Sequence, residues 1–227
     1  MDIRFLGHAA FELSDGSTSV LIDPFLTGNP KAAVTADELN PQAILLTHGH
    51  ADHIGDTVSI ATRAGSDVVA IVEIANELSA DGVAQVHDPN LGGTVAFDWG
   101  TVKLVAAWHT STTPKGAVNT PAGLIVRFAG KTIYHLGDTA LFSDLELISE
   151  TNGPIDVALM CIGGHYTMDR HDAVHAARLI RAKQVIPCHY DTFPPIATDA
   201  QAFKSEVESA GISEVAVLAP GESLSSP

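Results

Sequence analysis

The chain has 227 residues, of which 45% are apolar and 17% charged, so it can bury a sizeable core and is not a disordered polypeptide. Twelve Lys and Arg stand against 27 Asp and Glu, a formal net charge of −15 that opposes polyanion binding through a general basic surface. The expectation is therefore no nucleic-acid partner. No apolar run approaches the ~20 residues of a membrane span. The start, MDIRFLGHAAFEL, has neither the basic nor the apolar region of a signal peptide. The two cysteines, Cys161 and Cys188, read as buried free thiols of a reducing compartment rather than a disulfide framework. A cytoplasmic protein without membrane contact is expected.

In chain order, IRFLG, TSVLID and AILLTH read as strands, rich in Val and Ile with Gly, Asp or Pro near most of their ends. DTVSIATRAG then reads as a helix closed by glycine. DVVAIVE is the next strand, and EIANELSADG a second glycine-closed helix. TVKLVAAWH, AGLIVRF and KTIYHLGD follow as strands, and DLELISETNG as a helix. The strand IDVALMCIG, the helix DRHDAVHAARLIRAK, the strand AKQVIPCHY, the helix DAQAFKSEVESAG and the strand EVAVLAP complete the chain. Many strands with helices distributed among them predict a layered α/β or α+β fold. With no repeat, low-complexity tract or long linker, residues 1–227 read as one domain.

The polar residues follow a pattern of their own. His48, Asp138 and His189 lie at or just beyond the C-terminal ends of strand-like runs, and His109 directly follows one. Strand ends are where α/β folds place their chemistry, so these residues are expected to converge on one rim. The stretch ILLTHGHADHIGD packs His48, His50, Asp52 and His53 into six positions. Histidines two apart can reach one ion if the loop curls, leaving the Asp-His pair for a second. Imidazole with carboxylate suits zinc, iron, manganese or nickel, and the absence of coordinating thiolates argues against a structural zinc finger. The bland alternative, a helix N-terminus capped by Asp52 with incidental histidines, accounts poorly for three imidazoles in so short a stretch.

THGHADH resembles the HxHxDH signature of the metallo-β-lactamase superfamily. WHTSTTP, IYHLGDTALF and VIPCHYDTFP follow in the expected order, and GHAAFEL, LIDPFLTGNP and LAPGES extend the likeness from about residue 3 to about residue 222. The set resembles the small single-domain family of metal-dependent hydrolases within that superfamily. The resemblance implies an αββα sandwich, two mixed β-sheets face to face with helices on the outer faces. It further implies one metal held by His48, His50 and His109, a second by Asp52, His53 and His189, and Asp138 bridging them. Two divalent cations are expected, zinc first, with manganese, iron or nickel as alternatives. Such a pair lowers the pKa of bound water, so that hydroxide forms at neutral pH, and Asp52 would orient it and relay its proton.

Asp23 is a candidate hydrogen-bond partner for a ligand histidine, weighed against a turn aspartate before Pro24. His8 is a candidate for substrate contact or for support of a ligand, His135 for a packed supporting role, and Tyr166 for the substrate pocket together with Thr167 and Met168. His165 has a doubtful role and His87 none. HDAVH, with His171, Asp172 and His175, is one methylene short of the HExxH zinc motif; a solvated helix face with N-terminal acids is the stronger reading. Strand alternation turns the sulfur of Cys188 away from the metal.

The expected function is hydrolysis of a small ester, lactone or phosphodiester-type substrate by a hydroxide shared between two metals. β-Lactam hydrolysis is disfavoured by the missing secretion signal. The alternatives are a non-hydrolytic di-iron redox protein and a metal-dependent binding or sensor protein of the same fold. Redox relatives commonly carry Glu where this chain has His50. Nothing in the sequence indicates an oligomeric state.

Overall fold

The computed structural model describes residues 1–225. The first half of the chain contributes β1 (Asp2–Gly7), β2 (Ala10–Ser14), β3 (Ser19–Ile22), β4 (Ala43–Leu45), α1 (Ala51–Ile54), α2 (Thr57–Ala64), β5 (Asp67–Val69), α3 (Val72–Ala80) and β6 (Val86–His87). The second half contributes β7 (Thr94–Phe97), β8 (Gly100–Ala106), β9 (Ala122–Phe128), β10 (Lys131–His135), α4 (Leu145–Asn152), β11 (Val157–Cys161), α5 (Arg170–Ile180), β12 (Gln184–Cys188), α6 (Ala200–Ser209), β13 (Glu214–Val215) and β14 (Ser223–Ser225).

The strands form two seven-stranded sheets, ordered β14-β1-β2-β3-β4-β5-β6 and β13-β12-β11-β10-β9-β8-β7. In each, an antiparallel set passes into a parallel set at β3/β4 or β10/β11. The central parallel strands β4 and β11 are buried along their whole length, whereas the edge strand β7 is nowhere fully buried. One apolar cluster joins the sheets, bringing Phe11, Ile22 and Ile44 together with Leu124, Val126 and Ile186, and it also takes in α2 and α3 through Ile60, Ile74 and Leu78. A second cluster holds α4, α5 and α6 against the other sheet through Leu145, Ile180, Phe203 and Val207. The molecule is thus the expected αββα sandwich.

All five helices read from the sequence are present, although DVVAIVE spans two elements. Its strand ends at Val69, and Val72 already begins α3. The apolar run continues across that junction because Ala70, Ile71 and Ile74 are all buried. EVAVLAP likewise forms strand only at Glu214–Val215. Strands β2, β6, β7 and β14 and the single-turn α1 have no counterpart in the sequence reading. His87, read as a loop residue, lies on β6 and bonds Asp67 of β5 through Nε2 at 2.7 Å.

Strand direction is what positions the site. Because β1 is antiparallel to β2 and β2 to β3, β1 runs in the same direction as β3 and β4. By the same bookkeeping β8 runs with β10, β11 and β12. His8, Asp23 and His48 follow the C-terminal ends of β1, β3 and β4; His109, Asp138 and His189 follow those of β8, β10 and β12. Two backbone bonds fasten the edges together there: Ala122 N–H donates to Thr47 O at 2.9 Å and His189 N–H to His8 O at 2.7 Å.

Candidate metal centre

The loop after β4 turns directly into α1, with His50 as its N-cap and Asp52 and His53 in its single turn. This curl lets residues adjacent in sequence face one point. Gly49 N–H donates to Ser111 Oγ at 2.9 Å, which pins the histidine loop to the segment carrying His109. Gly137 has φ +66°, and a β-carbon there would lie 2.5 Å from Ala122 O. Only glycine fits the turn that delivers Asp138.

Buried hydrogen bonds fix the imidazoles. Asp23, fully buried, accepts from Thr47 N–H at 2.9 Å, from Thr47 Oγ1–H at 2.6 Å and from His53 Nδ1–H at 2.8 Å. Since the Thr47 hydroxyl proton goes to Asp23, its oxygen accepts from His48 Nδ1–H at 3.0 Å. Both rings therefore turn Nε2 toward the centre, as ligand histidines held by outer partners do. His135 is different: Nε2–H donates to Ala9 O at 3.2 Å and Nδ1 accepts from Gly137 N–H at 3.0 Å. Both of its nitrogens are committed to backbone, one of them at Gly137 in the turn that precedes Asp138.

Some donor atoms pair, His48 Nε2 with His50 Nδ1 at 3.0 Å and His8 Nε2 with Asp52 Oδ2 at 3.2 Å, but those around Asp138 do not. His189 Nε2 lies 3.0 Å and His53 Nε2 3.4 Å from Asp138 oxygens, yet His53 Nε2, both His189 nitrogens and Asp138 Oδ1 make no aligned hydrogen bond. Three sets of donor atoms lie mutually within 4.8 Å: His48, His50 and His109; His48, His53 and Asp138; and His8, Asp52, His53 and His189. Buried polar atoms without partners are costly. Here they are distributed as cations would require, and imidazole with carboxylate is the donor chemistry of zinc, manganese, iron and nickel. The residues present fit a metal centre.

Burial pushes His48, His50 and His109 below the usual imidazole range, which leaves them neutral and free to donate a lone pair. Burial likewise takes His8 down to about 4. His53 goes the other way: burial opposes its charge, but the carboxylates of Asp138 and Asp23 hold it well above the ordinary value. Asp138 and Asp52 stay below the usual carboxylate range despite burial, through His189 and His53 for the first and through His8 and His53 for the second. In the metal-free protein His53 therefore holds a proton where a cation would sit. Metal loading near neutral pH should release that proton, and apparent affinity should rise with pH until metal-free His53 deprotonates. Calorimetric titration in buffers of different ionisation enthalpy checks this; an enthalpy independent of buffer would overturn the assignment.

The pocket at this rim has a volume of about 260 Å³ and is lined by His50, Asp52, His109, Thr110, Asp138, Tyr166 and His189. Tyr166 stands at its mouth, 54% exposed. Thr167 and Met168 do not line it; Met168 is buried and its N–H donates to Thr139 O. His165 is exposed and outside the lining. His171, Asp172 and His175 belong to α5, on positions exposed to solvent, and Asp169 caps that helix by accepting from Asp172 N–H at 2.9 Å. His175→Ala should leave metal content unchanged; loss of a metal equivalent would revive a zinc site on that helix. Cys161 and Cys188 sit side by side on β11 and β12, free and buried. Thr47, Thr110, Ser111 and Thr192 are site residues that sequence reasoning missed.

A model of the beta-lactamase superfamily domain matches residues 2–189. A UPF0173 metal-dependent hydrolase of Pelotomaculum thermopropionicum is 45% identical over 99% of both chains, and one of Thermococcus kodakarensis 48% identical over 98% of both. Among solved structures, the metallo hydrolase Igni18 of Ignicoccus hospitalis superposes with a TM-score of 0.89 at 37% identity, covering 98% of this chain and 97% of its own. The diiron β-hydroxylase CmlA of Streptomyces venezuelae shares the fold alone, at 19% identity, a TM-score of 0.74, and coverage of 98% of this chain and 53% of CmlA. The chain belongs to the beta-lactamase superfamily and, within it, to the UPF0173 metal-dependent hydrolases. It is a metal-dependent hydrolase. Among the described residues, no helix is long and apolar enough to cross a membrane.

Proposed function

We propose that this enzyme hydrolyses a small, uncharged ester or lactone at a centre of two divalent cations. His48, His50 and His109 would hold one cation, Asp52, His53 and His189 the other, and Asp138 would lie between them. The observation that carries this reading is the set of buried, unpaired donor atoms converging on Asp138. When bound, such a pair supplies Lewis acidity, lowering the pKa of water and polarising the bond to be cleaved. Zinc is the first choice for these nitrogen and oxygen donors, with manganese, iron or nickel admitted by the same chemistry.

The chain's own residues do the rest. Asp52 is ionised and its side chain is 32% exposed toward the pocket, so it can accept a proton from attacking water. His8 Nε2 lies 3.2 Å from its Oδ2. The pocket lies just below the ~300–1,000 Å³ usual for small-molecule sites, which supports a small substrate. Its lining contains no Lys or Arg, the side chains that recognise phosphate, and this favours ester or lactone over phosphodiester. Tyr166 offers an aromatic face at the entrance. The free thiols of Cys161 and Cys188 support a reducing, cytoplasmic setting.

The test is elemental analysis of purified protein together with a panel of chromogenic esters, lactones and phosphodiesters. About two metals per chain are expected, with ester or lactone turnover lost on chelation and restored by metal. Turnover that survives complete metal removal would sink the proposal, and phosphodiesters as the preferred substrates would overturn its substrate class.

A further inference from the structure

His8 stands in the site without belonging to either trio. It directly follows β1, is 1% exposed and has φ +61°, a left-handed conformation costly for a residue with a β-carbon. Its carbonyl accepts the His189 N–H at 2.7 Å, and the two imidazoles lie with centroids 4.2 Å apart. The strained backbone thus sets these two rings side by side. His8 Nε2 is 3.2 Å from Asp52 Oδ2, and His8, Asp52, His53 and His189 each offer an atom within 4.8 Å of all the others. Donors about 2.0–2.1 Å from one tetrahedral ion lie roughly 3.3 Å from each other. The His8–Asp52 separation is that of two ligands sharing an ion as well as that of a hydrogen bond.

The other ring nitrogen separates these cases. His8 Nδ1 meets Thr192 Oγ1 at 2.9 Å, and the Thr192 hydroxyl also reaches Tyr190 O at 3.4 Å. With the hydroxyl proton directed to that carbonyl, Nδ1 carries the ring proton and donates to Thr192. Nε2 then aims a bare lone pair at an ionised carboxylate, which is repulsive unless a cation lies between them. Thr47 and Asp23 fix the tautomers of His48 and His53 in the same way. We infer that His8 Nε2 is a fourth protein ligand, beside Asp52, His53 and His189, with Thr192 fixing its tautomer. The inference rests on the two-cation reading above. It makes that cation the more closed of the two and leaves the open position for water to the cation of His48, His50 and His109.

If His8 instead donates Nε2–H to Asp52, it is a positioning residue only, and His8→Gln, which keeps a donor for Asp52, should preserve metal binding. Two variants and one spectrum decide. Zinc is titrated against a chelator into wild type, His8→Ala and His8→Gln, with circular dichroism confirming the fold. Both variants should keep the first equivalent and bind the second more than about 100-fold more weakly, beyond the loss typical for an outer partner. Imidazole nitrogen NMR of zinc-loaded wild type should show His8 protonated at Nδ1 and bare at Nε2, a readout that stands even if the variants misfold. Wild-type affinity for both equivalents in His8→Gln, or a proton on Nε2 in the loaded protein, overturns the inference while leaving the hydrolase reading intact. A wild type that binds no zinc, manganese, iron or nickel overturns both.

Discussion

Asp138→Ala should cost the protein both its metal and its turnover. The carboxylate is 3% exposed and lies within 4.0 Å of Nε2 atoms from four histidines: His48, His53, His109 and His189. Alanine removes the anion on which the four rings converge. Metal affinity should fall by more than the ~10–100-fold typical of losing an outer partner. The proton released on loading should shrink as well, because Asp138 is the leading charge that holds His53 protonated. Elemental analysis and buffer-dependent calorimetry check the two effects independently. Full metal occupancy with intact turnover would sink the bridging assignment.

Asp23→Ala should act chiefly on stability. The residue is completely buried, and its loss strands the Thr47 amide and hydroxyl and the Nδ1 of His53 without an acceptor. Breaking a buried charge pair from one side costs about 3–5 kcal/mol. For a chain of this size that is a fall of about 6–20 °C in Tm. The φ of +44° adds to the penalty for alanine, whereas asparagine tolerates this region. Asp23→Asn should therefore fold better than the alanine variant. It should still bind metal about 10–100-fold more weakly, because it no longer holds His53 in the right tautomer. Thermal melts and metal titration of both variants separate the two effects; an Asp23→Ala protein melting like wild type would contradict the role assigned to Asp23.

The candidate ligands were legible because ligand chemistry restricts residue type. Few roles call for the spacing of His48, His50, Asp52 and His53, and His109, Asp138 and His189 recur in the expected order behind strand-like runs. The five longer helices were legible from their apolar spacing and terminal signals. Strands as short as β6, with two residues, or β14, with three, hold too few positions to show a period and form only because a neighbouring edge pairs with them.

The amino-acid sequence alone gave notice of the candidate donors and of a layered fold class, since donor chemistry and apolar patterning are written residue by residue, while the αββα arrangement came only with the resemblance that THGHADH and the blocks after it carry. Only the tertiary structure decided what orients those donors. Ser111 reaches Gly49 across 62 positions and Thr192 reaches His8 across 184, and Ser and Thr are too common for such partners to be recognised by type. The tautomers of His48 and His53, the two backbone commitments of His135 and the aim of His8 at Asp52 all depend on which strand ends meet at one edge. Distance in space, not spacing along the chain, sets a hydrogen bond, and folding alone brings those distances within reach.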